Sequence, residues 1–223
     1  HILVDGGSTD NTLKYLNNYP NLKKKIIIEK KPGIYNAMNM GIKKATGDFI
    51  GILNSDDILN SETTIQKLVN ILKKNPKYKI FLGNVVFFKE DYKKIHRYYP
   101  SYDFQKNLLR NGIMPPHPGA FIHKTIYKKV GLYDKKFRIA GDFDFFVKCF
   151  IKNNLKFKKI SIVTTRMQTG GISGKNLFSN IYSSYEINKS LKKNKIQSSI
   201  FKILLRFPLK FDQFLFFNRQ KLN

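Results

Sequence analysis

Short apolar runs bounded by turn residues alternate with segments of helical period along the first half of this chain, a pattern that confines it to βαβ units on a mainly parallel sheet flanked by helices. Strands are expected at residues 2–4, 26–28, 49–53 and 81–88, and later at 120–123 and 160–165. The first three are continuously apolar, as strands covered on both faces should be. Residues 9–19, 34–45 and 61–74 read as helices, the last with Ser61 as N-cap and Ile65, Leu68, Val69 and Leu72 on one face. A fourth helix starts near Gly141 and runs through Phe145, Phe146, Cys149 and Phe150. The expected fold class is α/β.

With 223 residues, 42% of them hydrophobic, the chain can bury a core of domain size, which excludes disorder as its general state. Cys149 is the single cysteine, so neither an internal disulfide framework nor a multi-cysteine zinc site is possible, and a reducing compartment is expected. No run of about 18 apolar residues is present to span a bilayer. The formal charge of +26 comes from 41 basic residues, only six of them Arg, against 15 acidic ones. Such a balance attracts anions, among which nucleic acid, anionic lipid and the diphosphate of an activated sugar all qualify.

Three constellations carry chemistry. In Val4-Asp5-Gly6-Gly7-Ser8-Thr9-Asp10, an acid ends a strand and two glycines follow, which is where ligands bind in open α/β sheets. The alternative is a tight glycine turn with Ser8 capping the next helix. In Ile50-Gly51-Ile52-Leu53-Asn54-Ser55-Asp56-Asp57, a buried strand delivers two adjacent carboxylates, whose mutual repulsion a divalent cation would relieve. The alternative is an acidic turn in which Asp57 caps a helix. In Ile139-Ala140-Gly141-Asp142-Phe143-Asp144-Phe145-Phe146, two acids open an aromatic-rich helix. Aromatic walls would desolvate one of them and suit it to general base work, although the helix dipole alone also favours acids there. His117, between Pro116 and Pro118, either binds substrate or satisfies a loop carbonyl.

Taken in order, the elements VDGGSTDNT, GIYNAMNMG, ATGDFIGILNSDD and IAGDFDFF resemble the family 2 glycosyltransferases of the GT-A fold, especially bacterial enzymes of the colanic-acid type that build surface polysaccharides. The resemblance covers roughly residues 1–175. It implies a Rossmann-like sheet and an inverting sugar transfer from a nucleotide-diphosphate sugar to a saccharide or lipid-linked acceptor. Carried over residue by residue, it implies that Asp142 is the catalytic base and that Asp56, with Asp57 as the lesser candidate, holds Mg²⁺ or Mn²⁺. Asp5, Gly6, Asn54, Asp56 and Lys175 would bind the nucleotide sugar, Lys175 from a glycine-rich lid at 170–175, a stretch that reads equally as a flexible linker. His117 and Asp144 would meet the acceptor. Asn54, Lys31 and Asn36 depart from the acids usual at their positions. The family's first strand and its Pro and Asn-rich nucleotide loop would precede His1, so an N-terminally truncated domain is expected.

That domain is expected to occupy residues 1–182. Residues 183–223 carry nine basic side chains against Glu186 and Asp212. With Ile200, Ile203, Leu204, Phe207, Phe211 and Phe214 at helical spacing, this segment reads as a basic amphipathic helix, kinked at Pro208, that anchors the protein to an anionic membrane surface. Packing of the same aromatics against the sheet is the alternative. The expected location is cytoplasmic, peripheral at the inner face of the cell membrane. Two other classes compete: a nucleic-acid-binding protein, which the charge suggests but its even spread along the chain disfavours, and a nucleotidyltransferase of similar fold. No nucleic-acid partner is expected.

Overall fold

The computed structural model describes residues 1–19, 23–31, 33–88, 95–168 and 177–209. In chain order the elements are β1 (Ile2–Asp5), α1 (Thr12–Asn18), β2 (Lys25–Ile28), α2 (Ile34–Lys44), β3 (Phe49–Gly51), β4 (Asp57–Leu59), α3 (Thr64–Lys74), β5 (Ile80–Phe88) and β6 (Ile95–Tyr99). Then follow β7 (Ala120–His123), α4 (Lys124–Val130), α5 (Gly141–Val147), β8 (Lys158–Gln168), α6 (Leu177–Lys193), α7 (Ile200–Leu204) and α8 (Arg206–Leu209).

The architecture is α/β, but the sheet is mixed rather than mainly parallel. β1 and β2 form a parallel pair, and the six-stranded sheet runs β3-β7-β5-β8-β4 with β6 added on β5. Within that larger sheet β5 and β8 are parallel, whereas β3–β7, β5–β7, β5–β6 and β4–β8 are antiparallel. The reason lies in β5, which is buried along nearly its whole length. A continuous apolar run reports burial on both faces, and a central antiparallel strand meets that condition as well as a parallel one. Close approach tightens this centre: a Cβ on Gly119 would lie 2.4 Å from the Gly83 carbonyl oxygen, and one on Gly83 would lie 2.5 Å from Thr164 Cγ2.

Helix starts also differ from expectation. Thr63 occupies the N-cap position of α3, and the Ser61 amide instead donates to Thr64 Oγ1 at 2.8 Å. α1 begins only at Thr12, so Ser8 does not cap it. The fourth helix appears as α5, prolonged by a π-helical turn at Lys148–Lys152. Phe143, Phe145, Phe146 and Phe150 along it are at most 1% exposed. At about 1.5–3 kcal/mol for each fully buried large apolar side chain, they fix α5 as a rigid platform.

The division at residue 182 does not survive. α6 crosses it without interruption, and Ile187, Leu191, Ile196 and Ile203 share one core with Phe143, Phe145, Phe146 and Tyr133. The buried Arg206 side chain ties α8 to α6 through Asn180 O, Ser183 Oγ and Ser184 Oγ at 3.1–3.4 Å. Burial of one stripe of an amphipathic segment looks the same in sequence whether the cover is lipid or protein, and here it is protein up to Arg206. The chain breaks at Leu205, ahead of Pro208, which falls in the first turn of α8 where a missing N–H costs nothing. Phe211, Phe214 and the rest of the expected anchor lie outside the described residues, as do Lys175 and the expected lid.

Candidate active site

Asp5 closes β1, and its carboxylate folds back on its own turn. Oδ1 accepts the amides of Gly7 (2.9 Å) and Ser8 (2.8 Å), and Oδ2 accepts the Ser8 hydroxyl at 2.6 Å. The Ser8 bonds hold its proton affinity below the ordinary value despite burial. Gly7 takes φ +91°, which an L side chain would strain. Gly6 and the residues after it stay exposed.

The second turn is different. Asn54 closes it, its carbonyl accepting from the Asp57 amide (3.1 Å) and its side-chain amide donating to Asp57 Oδ2 (3.0 Å). Asp57 then enters β4 opposite Met167 of β8, so it is not a helix cap. It is buried, and its Oδ1 has no hydrogen-bond partner. Burial, reinforced by the neighbouring Asp56 charge, pushes its carboxyl up to about 6. Asp56 itself is exposed. The sequence expectation ranked Asp56 first; the structure gives the unfilled acceptor to Asp57. An orphaned buried carboxylate oxygen beside a second carboxylate is a hard-oxygen donor set that fits Mg²⁺ or Mn²⁺, with phosphate and water able to complete the shell. Among the described residues no group of three or more His, Cys, Asp or Glu side chains is placed to hold a metal ion, so this turn would supply at most two carboxylates and leave the rest of the shell to phosphate and water.

Asp142 lies half-buried in the first turn of α5. Its Oδ1 accepts the Phe143 amide at 2.8 Å and lies 3.3 Å from the Tyr35 hydroxyl. Desolvation raises its proton affinity, opposed chiefly by the charge interaction with His117. His117 is buried, pairs through Nε2 with the Tyr133 hydroxyl at 3.0 Å and is held towards its neutral form by burial. The structure therefore brings Asp142 and His117 together, with Tyr35, Tyr99 and Tyr133 around them.

Asp144 points elsewhere. It is fully buried, with Oδ1 accepting from Ser190 and Asn194 (both 2.9 Å) and Oδ2 facing Lys193 (3.4 Å) and Lys148 (3.5 Å). The expectation that it meets an acceptor is corrected: this carboxylate is consumed in fastening α5 to α6. Two residues next to each other but one on a short helix face different sides, and the sequence spacing alone does not say which side is the ligand's.

The sites converge on one end of the sheet. Met167 pairs with both Asp57 and Phe87, and Thr165, two residues earlier on β8, donates to the Pro118 carbonyl at 2.9 Å. Pro118 follows His117, which faces Asp142. The carboxyl ends of β5 and β8 thus carry both the Asp56–Asp57 turn and the loop of His117, which faces Asp142. α2 connects this region to β1: Tyr35 reaches the Asp142 loop, and the site of a Cβ on Gly41 lies 3.4 Å from Val4. Asn39 fixes α2 against the adjoining loop by exchanging two bonds with the Tyr133 backbone (2.8 and 3.0 Å).

Sequence reasoning missed Tyr35 and Glu186, which hold the Asp142 loop. Tyr35 stood inside the quoted GIYNAMNMG element; Glu186 is the only acid between Asp144 and Asp212, a rarity in so basic a segment that could have singled it out.

The sheet thus carries acidic turns at one end, and α5 presents a carboxylate on the same side. The profile described as Glycosyl transferase family 2 matches residues 1–131, so the chain belongs to glycosyl transferase family 2. It is 29% identical over 176 residues to a PGL/p-HBAD biosynthesis glycosyltransferase of Mycobacterium tuberculosis, an alignment covering 77% of this chain and 66% of that protein. Among solved structures, S. aureus TarS 1-349 superposes with a TM-score of 0.61 at 15% identity over 91% of this chain and 60% of that one. Glucosyl-3-phosphoglycerate synthase from Mycobacterium tuberculosis, solved with Mn²⁺ and UDP-glucose, gives 0.58 at 14% identity over 89% of this chain and 69% of that one. These neighbours share the GT-A fold with this chain, which spans about two thirds of the mycobacterial relative's length.

Proposed function

We propose that this chain carries out an inverting, divalent-metal-dependent transfer of a sugar from a nucleotide-diphosphate sugar to a saccharide or lipid-linked acceptor in cell-surface polysaccharide biosynthesis. The observation that carries the reading is a pair of carboxylates at one end of the sheet, Asp57 with an unfilled buried oxygen and Asp142 with its proton affinity raised by desolvation. Neighbours solved with UDP-GlcNAc and with Mn²⁺ and UDP-glucose support the donor class.

In this mechanism Asp142 accepts the proton of the acceptor hydroxyl. As the new bond to the anomeric carbon forms, the bond to the diphosphate oxygen breaks on the opposite face and the nucleoside diphosphate leaves. Desolvation brings the Asp142 carboxyl closer to the operating pH, which strengthens it as a base. Asp56 and Asp57 would hold Mg²⁺ or Mn²⁺, which supplies positive charge to the leaving diphosphate. Asn54 orients Asp57. Asp5 and Gly6 line the nucleotide end, Lys175 reaches the phosphates, and neutral His117 hydrogen-bonds the acceptor. An anionic membrane surface is the proposed partner, at the inner face of the cell membrane. What supports this is the outer side of α6 and α7, where Phe178, Ile181, Tyr182, Tyr185, Phe201 and Leu205 are exposed while the only acid of these helices, Glu186, is buried. No helix among the described residues is long and apolar enough to cross a membrane.

Turnover of a UDP-sugar panel with Mn²⁺ tests the reading. Asp142→Asn removes a proton acceptor at constant shape and is expected to lower turnover by about 10² or more with donor affinity unchanged. Normal turnover in this variant would remove Asp142 from the reaction.

A further inference from the structure

The segment that delivers Asp142, residues 138–142, is gripped from two sides by the polar ends of two buried side chains. From α6, the buried Glu186 carboxylate accepts three successive backbone amides: Arg138 on Oε1 (2.8 Å), and Ile139 (2.7 Å) and Ala140 (2.9 Å) on Oε2. From α2, the Tyr35 hydroxyl accepts the Gly141 amide (2.8 Å) and the Asp142 amide (3.3 Å), and its one proton faces the Ile139 carbonyl (2.5 Å) and Asp142 Oδ1 (3.3 Å). The fit is close, since a Cβ on Gly141 would meet the Tyr35 ring at 2.7 Å. A seven-residue helix leaves its first amides without intrahelical partners, and ordinary capping by the Ala140 side chain is impossible. Here the missing cap is supplied by two distant helices, 46 and 106 residues away in sequence.

We propose that Tyr35 and Glu186 are positioning residues for the transfer reaction, a two-sided clamp that sets where the Asp142 carboxylate stands. The inference rests on the reading of Asp142 as base. Glu186 acts on position alone: three charge-assisted bonds from one carboxylate fix the loop backbone, and misplacement of a reacting group by about 1 Å can cost 10²-fold in rate. Tyr35 acts on position and charge: its single proton is divided between the Ile139 carbonyl and Asp142 Oδ1, and its share on the carboxylate lowers that group's proton affinity. The other titratable groups facing Asp142 among the described residues are His117, Tyr99 and Tyr133, and none of these touches the loop backbone from 138 to 141 in the hydrogen bonds found.

The test uses Tyr35→Phe, Glu186→Gln and Glu186→Ala, read in two ways: UDP release from UDP-glucose with Mn²⁺ and water as acceptor, and carbon-13 NMR titration of the Asp142 carboxyl, assigned by its loss in Asp142→Asn. Tyr35→Phe removes a donor to the carboxylate, so its titration midpoint and the acid limb of kcat both move to higher pH. Glu186→Gln, which keeps one acceptor oxygen, lowers kcat by about 10-fold and Glu186→Ala by about 10²-fold, with KM for UDP-glucose within about twofold of the parent. Leu68→Ala, in the separate cluster with Phe81, Phe121 and Ile160, controls for lost stability and should move neither the limb nor kcat. An unchanged Asp142 titration in Tyr35→Phe, equal kcat across the Glu186 series, or the same shifts in Leu68→Ala overturns the clamp. The base reading fails separately: if Asp142→Asn retains turnover, the NMR titration still decides whether Tyr35 controls the carboxyl.

Discussion

Asp144 and Asp57 are both buried carboxylates, and they stand in opposite conditions. Asp144 is surrounded by four donors from the π-helical turn after α5, from α6 and from the residue beyond α6, two of them lysines. Asp57 has one side-chain donor, an acidic neighbour and an oxygen with no partner. Folding completes the first without outside help and leaves the second incomplete. A buried anion is costly unless its acceptor capacity is filled, so the open oxygen of Asp57 is what the proposed cation site rests on, while the filled shell of Asp144 makes that region rigid. Burial alone separates nothing here; the count of donors does.

The comparison can be broken from its structural side first. Asp144→Ala leaves the largely buried Lys148 without its carboxylate and is expected to cost about 3 kcal/mol, the low end for a broken buried pair because Lys193 keeps its 2.8 Å pair with Asp134. That corresponds to a fall of roughly 6–12 °C in Tm for a chain of this size. Thermal unfolding checks it, and the Tm response to Mn²⁺ should persist; losing that response would mean that the two regions are not independent. The smallest expected effect on stability lies on the outer side of the same helix. Phe178→Ser with Phe201→Ser removes two side chains that are 79% and 77% exposed and should leave Tm within about 1 °C. The pair should still weaken binding to anionic vesicles while binding to neutral vesicles stays negligible. Vesicle binding that ignores lipid charge, or that the substitutions leave intact, would end the membrane reading.

Much of this was legible in the sequence because short apolar runs stand beside the acids. The run from Ala120 to His123 appears as expected, Asp5 ends β1 and Asp142 lies in the first turn of α5, whereas β3 stops at Gly51 and Asp57 opens the separate strand β4. What the pattern withheld was direction and company. Strand polarity in β4 and β7 is set by tertiary pairing, to which the 2-residue period is blind. Asp142 and Asp144 looked equivalent because their distinguishing partners, Tyr35, Ser190 and Asn194, come from helices far away in sequence. The stripe in residues 183–206 was visible, but not whether lipid or protein covers it; Glu186 and Arg206, polar groups at buried positions, are the residues that betray a protein cover.

The central claim, that the Asp57 turn is left incomplete for a metal-bound diphosphate, is tested most directly by thermal melts of the wild-type chain and Asp57→Asn from pH 4 to 8, with and without Mn²⁺ and UDP. The folded-state carboxyl titrates above its ordinary value of 3.8, near 6, so the folded chain binds the proton more tightly than the unfolded one. Wild-type stability without metal should therefore decline as pH rises through that window and stay lower above it. Asp57→Asn should lack the decline and be more stable at pH 7 by about 1 kcal/mol, roughly 2–4 °C in Tm. Mn²⁺ with UDP should raise the Tm of the wild type and leave that of the variant where it is. A variant that responds to Mn²⁺ and UDP as strongly as the wild type would contradict the account.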